Sequence, residues 1–215
     1  MGNTVSEAVE TRRARIARRQ VDKFGERRAE LAAAALHTLA ELGFARTSLR
    51  EIAQNSEFSH GVLHYYFSDK ADLLTEAVRQ FEEICVTRYD ELVAAATSAD
   101  GLRTGFADAM AATLAADARV HRLWYDLRNQ SLFDDSFRKD VLELDERRTD
   151  MIWRVVDRYA ELAGATVTVA PRIAYAMLDG IFEQALLRHL CDDDNAVRDL
   201  PAVVANVLTA IIAKA

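Results

Sequence analysis

The residues of this chain best suited to specific chemistry follow Ser59. The Ser59 hydroxyl can cap a helix, because it accepts a hydrogen bond from a backbone N–H of the first turn. His60, Gly61, Val62 and His64 come directly after it. They are small or can form hydrogen bonds, so they can approach base edges in the major groove of duplex DNA. The segment therefore predicts a short recognition helix.

A second short helix is predicted immediately before this one. Ser48 and Glu51 stand three residues apart, which is the spacing of a capping box. Three apolar residues then fall on one helical face: Leu49, Ile52 and Ala53. The polar residues 55–57 continue a helix poorly, so a tight turn should separate the two helices. Residues 48–67 thus read as a helix-turn-helix.

The segment from about Arg27 to Leu74 resembles the DNA-binding domain of TetR-type (tetracycline-repressor-like) transcriptional regulators. The resemblance is carried by Gly43, Phe44, Thr47, Ile52, Ala53, Ser59, Gly61, Leu63, Tyr66, Phe67, Lys70, Leu73 and Leu74. Two residues depart from the family pattern, because Glu57 replaces the usual turn glycine and His64 replaces the usual tyrosine. A left-handed backbone at Glu57 would cost about 1 kcal/mol. The tyrosine-to-phosphate contact of the family is in doubt at His64.

The residues expected to contact DNA are Thr47, Ser48, Arg50, Ser59, His60, Gly61, Val62, His64, Tyr65, Tyr66 and Lys70. Thr47 and Lys70 are expected at phosphates, near helix N-termini, where free N–H groups and the helix dipole favour anions. A hydroxyl of Tyr65 or Tyr66 can add a phosphate contact. The residues at the start of the second helix are expected to face bases.

The charge distribution is polarised along the chain. The net charge is -7, yet residues 1–70 hold 11 Lys or Arg against 9 Asp or Glu, whereas residues 71–215 hold 16 against 25. Eight basic residues lie between positions 11 and 28: Arg12, Arg13, Arg15, Arg18, Arg19, Lys23, Arg27 and Arg28. Residues 1–24 are therefore predicted to form a basic flexible arm. Two interpretations of the arm stay open, namely contact with DNA phosphates or the minor groove, and a solvated leader.

An all-α fold of about nine helices is predicted, since only two prolines and eight glycines interrupt 215 residues. The arm precedes a helix-turn-helix head at 25–72 and a helical body at 73–215, which would bind a ligand and dimerise. Outside the helix-turn-helix, helices are predicted at about 27–42, 69–96, 101–117, 119–130, 136–163, 171–190 and 200–213. The helix at 69–96 would connect head and body. Pro171 and Pro201 stand where helices prefer to begin.

The last two predicted helices each carry a broad apolar face. The first face holds Ile173, Met177, Leu178, Ile181, Phe182 and Ala185, and the second holds Val204, Val207, Leu208, Ile211 and Ile212. The resemblance implies that helices 171–190 and 200–213 of two subunits form a four-helix bundle. The alternative is that these faces close the core of one subunit. We expect a homodimer, because two-fold symmetry doubles the surface on DNA.

A small-molecule effector site in the body is implied by the resemblance more than by the residues themselves. The candidates for the pocket are Phe106, Met110, His121, Trp124, Arg128, Trp153, Tyr175, Met177 and Phe182, with Gln184 as a further polar group. Each of these residues has core packing as its alternative role, because aromatic residues and methionines at helical spacing commonly fill cores.

Other classes of protein are disfavoured by the sequence. No stretch is long and apolar enough to span a membrane, and we expect a cytoplasmic protein. Cys85 and Cys191 have no metal or disulfide spacing and are expected to be reduced, buried thiols. His60 and His64 have i, i+4 spacing but lack a third metal ligand. No catalytic motif stands out, so neither an enzyme, a metal nor a cofactor is predicted.

The sequence thus predicts a ligand-responsive transcriptional regulator, most often a repressor in the family that it resembles. It would bind a palindromic double-stranded DNA operator as a homodimer. The alternative is a helical module that binds small molecules or proteins and does not use its helix-turn-helix on DNA. Glu57, His64 and the acidic body favour that alternative.

Overall fold

A computed structural model describes residues 3–44 and 47–214, with the backbone alone for 3–21 and 214. This part of the chain contains nine α-helices, one 3₁₀ turn and two short strands, so the predicted all-α class is confirmed. The helices are α1 Asn3–Leu42, α2 Leu49–Gln54, α3 His60–Tyr66, α4 Lys70–Cys85, α5 Asp90–Ala95, α6 Ala99–Ser131, α7 Arg138–Ala163, α8 Pro171–Leu190 and α9 Ala196–Ala210. The 3₁₀ turn is Asp135–Phe137, and the strands are β1 Ala165–Val167 and β2 Ile212–Lys214.

The chain divides into two compact units, Met1–Gln80 and Phe81–Ala215, which we call the N-terminal and C-terminal units. The division falls within α4. The predicted boundary between head and body lies earlier, after residue 72. That functional division remains a prediction.

Helix α1 begins much earlier than the sequence suggested. Its predicted start near Arg27 is wrong, since the backbone is helical from Asn3 to Leu42, which includes most of the expected flexible arm. The structure describes side chains only from residue 22 onward, so those of Arg12, Arg13, Arg15, Arg18 and Arg19 lie outside the described part. Residues 1 and 2 of the predicted arm lie outside it altogether. The predicted end is confirmed: Gly43, with φ 77°, follows the last helical residue and its N–H donates to the Leu39 carbonyl at 2.8 Å.

The helix-turn-helix forms as the caps predict. The Ser48 N–H donates to Glu51 Oε2 at 2.7 Å, and the Glu51 N–H donates to Ser48 Oγ at 3.2 Å, which completes the capping box. Ser59 caps α3 by accepting from the Val62 N–H at 3.3 Å. The expected strain at Glu57 is absent, because Asp192 is the one non-glycine residue with positive φ among the residues described.

Arg28 connects three elements of the N-terminal unit. Its guanidinium donates to the Tyr66 carbonyl at the end of α3 at 2.7 Å. It also pairs with Asp72 and Glu76 of α4 and lies 4.5 Å from the centre of the Phe67 ring. Burial alone would raise the pKa of Asp72, but hydrogen bonds from Arg28 and Ser68 bring it below its usual value. Arg28 therefore fixes the C-terminal end of α3 against α1 and α4.

The predicted continuous helix at 69–96 is wrong. Helix α4 ends at Cys85, and α5 begins only at Asp90. The Thr87 hydroxyl donates to the Glu83 and Ile84 carbonyls at 3.5 and 3.3 Å. These bonds satisfy acceptors that have no partner at a helix end, so the chain turns at residues 86–89.

The helices predicted at 101–117 and 119–130 are one element, α6, in the structure. In place of the predicted break after residue 117, α6 has a kink at Asp117, whose dihedral angles are non-helical at φ −118° and ψ 17°. The Asp117 carboxylate accepts from Arg88 at 2.6 Å. His121 therefore follows a bend that an ion pair supports.

The last helices match the prediction in part. Pro171 begins α8 as predicted, but Pro201 lies inside α9, which begins at Ala196. The last predicted helix was expected to reach residue 213. It ends at Ala210, and β2 pairs antiparallel with β1, with Val167 opposite Ile212.

The two cysteines differ in environment. Cys85 is buried as predicted, and burial raises the pKa of its thiol to about 12. Cys191 is exposed, so the expectation of a buried thiol is wrong there, because it follows the last turn of α8 at the surface. Within the described residues, no helix has the length and hydropathy needed to cross a membrane.

We expect Arg28→Met to lower the free energy of unfolding by about 1–2 kcal/mol at pH 7, because charge-assisted hydrogen bonds are lost from a half-buried site. The lowered pKa of Asp72 contributes stability above its unfolded value, and this contribution disappears as pH falls through the lower folded value. The difference from the wild type should therefore shrink below about pH 3.8. Urea unfolding between pH 7 and 3 measures it.

Arg27→Met is the matched control, since Arg27 is more exposed and pairs with Glu30 one turn away. Its effect should stay within about 0.5 kcal/mol. An equal loss in both variants would remove Arg28 from its proposed role in holding α3.

Candidate nucleic-acid interface and ligand cavity

Helix α3 presents most of the predicted base-reading residues to solvent. His60, Gly61 and His64 are exposed, Val62 is half-buried, and Leu63 is fully buried beneath them. The His60 and His64 rings meet edge to face with centroids 4.4 Å apart. One face of α3 thus anchors the helix while the other offers hydrogen-bonding groups.

The fold itself does not require glycine at position 61. Gly61 has helical geometry, and no atom lies within 4 Å of the position that a Cβ would occupy. The space in front of α3 is therefore open. A close approach by another molecule is a reason for glycine here, since glycine weakens a helix.

The residues predicted to contact phosphates differ in their exposure and in their hydrogen-bond partners. Thr47 is buried, and its hydroxyl donates to the Gly43 carbonyl, so it closes the turn after α1. Lys70 donates from Nζ to the Phe44 carbonyl at 2.6 Å. Arg50 is exposed on α2. Of these three residues, Arg50 is the one whose placement best suits a phosphate.

The serines and tyrosines of the predicted interface are divided in the same way. Ser48 and Ser59 are exposed, but their hydroxyls cap α2 and α3. Tyr65 is 73% exposed, whereas the Tyr66 ring lies 4.7 Å from that of Phe24 on α1. Phe24 was not predicted to take part, because no spacing rule relates α1 to residues forty positions away.

Metal binding finds no support at His60 and His64. Among the residues that the structure describes, no three His, Cys, Asp or Glu side chains are placed to hold a metal ion.

A small cavity of about 50 Å³ lies among the helices of the C-terminal unit. We call it the His121 cavity. Four of the predicted pocket residues line it: Met110, His121, Tyr175 and Phe182. Seven further lining residues were not predicted: Tyr89, Thr113, Arg148, Met151, Ile152, Leu178 and Asp179.

The other predicted pocket residues lie elsewhere. Phe106 and Trp124 are fully buried but do not line the cavity, and Trp153 is half-buried away from it. Arg128 lies beside Asp179 and binds its carboxylate. Met177 and Gln184 line a separate surface groove.

The charged groups around the His121 cavity are paired with one another. Arg148 donates from Nε to Glu82 Oε2 at 2.9 Å, and its guanidinium lies 4.5 Å from the centre of the Trp124 ring. Asp179 accepts from the Tyr125 hydroxyl at 2.9 Å and from Arg128. The site therefore consists mainly of apolar surface with neutralised charges.

Two tyrosine hydroxyls extend this network. Tyr175 donates to Asp145 Oδ1 at 2.8 Å, as Tyr125 does to Asp179. Burial, and then the Asp179 carboxylate, raise the pKa of both Tyr125 and Tyr175. Both phenols therefore stay protonated and act as hydrogen-bond donors.

His121 stands apart from this network. In the described part of the chain, neither of its ring nitrogens has a hydrogen-bond partner, although the residue is only 6% exposed. Burial lowers its pKa well below 6.5, and the charges of Arg148 and Arg88 lower it further. His121 is thus a neutral imidazole with an unused N–H donor and an unused nitrogen acceptor.

A second concave surface lies between α8 and α9. This groove of about 340 Å³ is lined by Met177, Gly180, Ile181, Gln184, Ala185, Arg188, Ala196, Asp199, Leu200 and Val203. Ile173, Met177 and Leu187 of α8, together with Val203 of α9, are large apolar residues left exposed in the single chain. The predicted dimerisation helices therefore carry an unpartnered apolar surface.

The described structure thus combines a capped helix-turn-helix unit with a helical unit that holds a small cavity. Residues 31–77 match the family described as "Bacterial regulatory proteins, tetR family". The HTH-type transcriptional repressor KstR2 of Rhodococcus jostii (strain RHA1) is 28% identical over 185 residues, which cover 72% of this chain and 91% of that protein. The N-terminal unit of this chain is therefore similar to the tetR family of bacterial regulatory proteins.

Solved structures agree with this fold. A transcriptional regulator from Saccharomonospora viridis in complex with choline has a TM-score of 0.72 at 15% identity, covering 89% of this chain and 100% of that one. FadR from Bacillus subtilis in complex with stearoyl-CoA has a TM-score of 0.68 at 17% identity, covering 84% and 97%.

We expect Gly61→Ala to raise the free energy of unfolding by about 0.5–1 kcal/mol, because alanine is the better helix former and its methyl group meets no atom. Thermal unfolding measures this change. If α3 reads base edges as the sequence predicts, the same variant should bind operator DNA more weakly, since the added methyl group would stand between the helix and a base. A stabilised variant with unchanged DNA affinity would show that Gly61 does not lie at the interface.

We expect His121→Phe to raise the free energy of unfolding of the ligand-free protein by about 1–2 kcal/mol, because a buried polar group without a partner is costly. Since the pKa of His121 is lowered, wild-type stability falls as pH drops below 6.5, where the unfolded chain binds the proton. The advantage of the variant should therefore grow below that pH. Urea unfolding tests it, and an unchanged stability at pH 7 would mean that water satisfies the ring.

Proposed function

We propose that this chain is a homodimeric repressor that binds a two-fold symmetric DNA operator through residues 48–67 and responds to a small molecule. The DNA-binding part of the proposal rests on how α3 is held in the N-terminal unit. Its exposed face holds His60, Gly61 and His64, while its buried face and both ends are fixed. A rigid helix with open space before it suits insertion into a major groove.

Base contacts are assigned to the exposed side chains of α3. Imidazoles can both donate and accept, so His60 and His64 can read base edges, while Gly61 allows a close approach. Arg50 and Tyr65 are exposed nearby in sequence and are assigned to phosphates. Lys70 donates to the Phe44 carbonyl and carries its positive charge at the first residue of α4, so it is assigned as a secondary phosphate contact.

Dimerisation is assigned to α8 and α9. Their exposed residues include Ile173, Met177, Leu187 and Val203, and Met177 and Val203 line one groove between the two helices. Exposed apolar residues grouped in this way favour a protein interface. A two-fold axis would bury the same surface of both subunits. Two recognition helices would then meet two half-sites of one operator.

The effector is assigned to the His121 cavity. His121 is a buried polar residue without a partner in the described structure, and a molecule bound in the cavity can supply that partner. The structural relatives were solved with choline and with stearoyl-CoA. Because those two ligands differ in charge and size, the shared fold does not determine the effector of this chain.

The test is selection of duplexes from a random DNA pool by the purified full-length protein at low and moderate salt. We expect one two-fold symmetric sequence to be enriched, with affinity falling steeply as salt rises. His60→Ala should relax preference at the base pairs it contacts, because one base contact is worth about 1–3 kcal/mol of discrimination. His37→Ala on the exposed side of α1 is the control and should leave the preference unchanged.

Enrichment with an unchanged preference in His60→Ala would remove that residue from the base-reading set. If no sequence is enriched after bound small molecules have been stripped from the protein, the DNA-binding proposal fails. The chain would then be a helical module that binds a ligand or a protein.

A further inference from the structure

The His121 cavity has one polar group that nothing in the described structure satisfies. His121 lies between two aromatic rings, with centroids 5.5 Å from Phe81 and 4.8 Å from Phe182. These rings meet the imidazole at steep angles, 80° and 62°, and give its nitrogens no hydrogen bond. A buried nitrogen of this kind usually has a partner. Its partner is therefore expected among molecules that enter the cavity.

The surroundings of the cavity disfavour a charged ligand. The guanidinium of Arg148 is held by Glu82, whose side chain has no exposed area. The carboxylate of Asp179 is held by Arg128 and Tyr125. An anion placed there would compete with Glu82 and Asp179 for the arginines that they hold. A cation would lie close to the positive charges of Arg148 and Arg88 that act on His121.

The remaining surface favours an apolar body. Met110, Met151, Ile152, Leu178 and Phe182 line the cavity. Its volume of about 50 Å³ is small, but the two methionines have flexible, unbranched side chains that adapt to a ligand. The apolar part of a ligand can thus be accommodated by movement of Met110 and Met151.

We propose that the His121 cavity binds a neutral, mostly apolar molecule whose single hydroxyl group hydrogen-bonds to the imidazole of His121. This proposal rests on the proposed function, since it gives the chemistry of the effector. A hydroxyl both donates and accepts, so it can pair with one of the two ring nitrogens of His121 in either tautomer of the neutral imidazole. An aliphatic alcohol is the simplest member of this class.

The experiment compares hexan-1-ol, hexanoate and hexylammonium, which share a chain and differ in charge. Calorimetry on the full-length protein measures affinity, and ¹⁵N NMR of the histidine rings locates the contact. We expect hexan-1-ol to shift the His121 ring resonances. We also expect its Kd to be at least about tenfold lower than that of either ion, because a tenfold change in Kd is about the effect of one well-formed hydrogen bond or of one unpaired charge.

Two substitutions separate hydrogen bonding from shape. His121→Phe keeps a ring but no polar atom, and should weaken hexan-1-ol binding about tenfold. His121→Gln keeps a donor and an acceptor, and should retain most of the affinity. His189→Phe is the control for losing a histidine, because His189 does not line the cavity.

Equal or tighter binding of either ion, or hexan-1-ol binding that survives His121→Phe unchanged, would overturn the proposal. So would the absence of hexan-1-ol binding to the wild type. DNA binding by the same ligand-free samples separates the two proposals. A protein that selects a symmetric duplex but binds no alcohol leaves the regulator assignment intact, whereas alcohol binding at His121 without duplex binding refutes only the DNA-binding proposal.

Discussion

An ion pair with almost no access to solvent joins two helices of the C-terminal unit beside the His121 cavity. Glu82 of α4 is fully buried and Arg148 of α7 is 5% exposed, so neither charge is tolerable there without the other. Losing one partner of such a pair costs about 3–5 kcal/mol. The pair therefore fixes the end of α4 against α7 and places the guanidinium over Trp124. Because Glu82 already holds the Arg148 guanidinium, an anionic ligand would have to compete with Glu82 for it.

The N-terminal unit uses an arginine in a related way at a more exposed place. Arg28 binds a main-chain carbonyl at the end of α3 and two carboxylates of α4, while Ser59 fixes the start of α3. Both ends of a seven-residue helix are therefore held by polar contacts, and Leu63 anchors its middle. A short helix is unstable alone. Held in this way, it can present a surface of small and polar side chains without rearranging when DNA binds.

The sequence predicts those features that depend on near neighbours in the chain. The capping box at Ser48, the cap at Ser59 and the glycine after α1 all act within one helical turn, and all formed. The predictions failed where distant residues decide. The Thr87 hydroxyl binds carbonyls in the last turn of α4. Arg154 of α7 also donates to the Val86 carbonyl, and this contact cannot be predicted from the sequence pattern around residue 86. Four of the eleven residues that line the His121 cavity were among the predicted pocket residues, whereas Arg148 and Asp179, which follow no such sequence pattern, were not.

The histidines show why composition alone cannot assign a site. His60 and His64 are exposed on α3, where water satisfies their nitrogens until another molecule replaces it, so their polarity costs the folded protein little. His121 has the same side chain, but burial removes the water and the described structure supplies no replacement. Its polarity is therefore a cost of folding that a ligand can offset. An apolar residue would pack there without that cost. The Nε1 of Trp124 also lacks a partner in the described structure, but Trp124 does not line the cavity, so His121 is the group that indicates a binding site there.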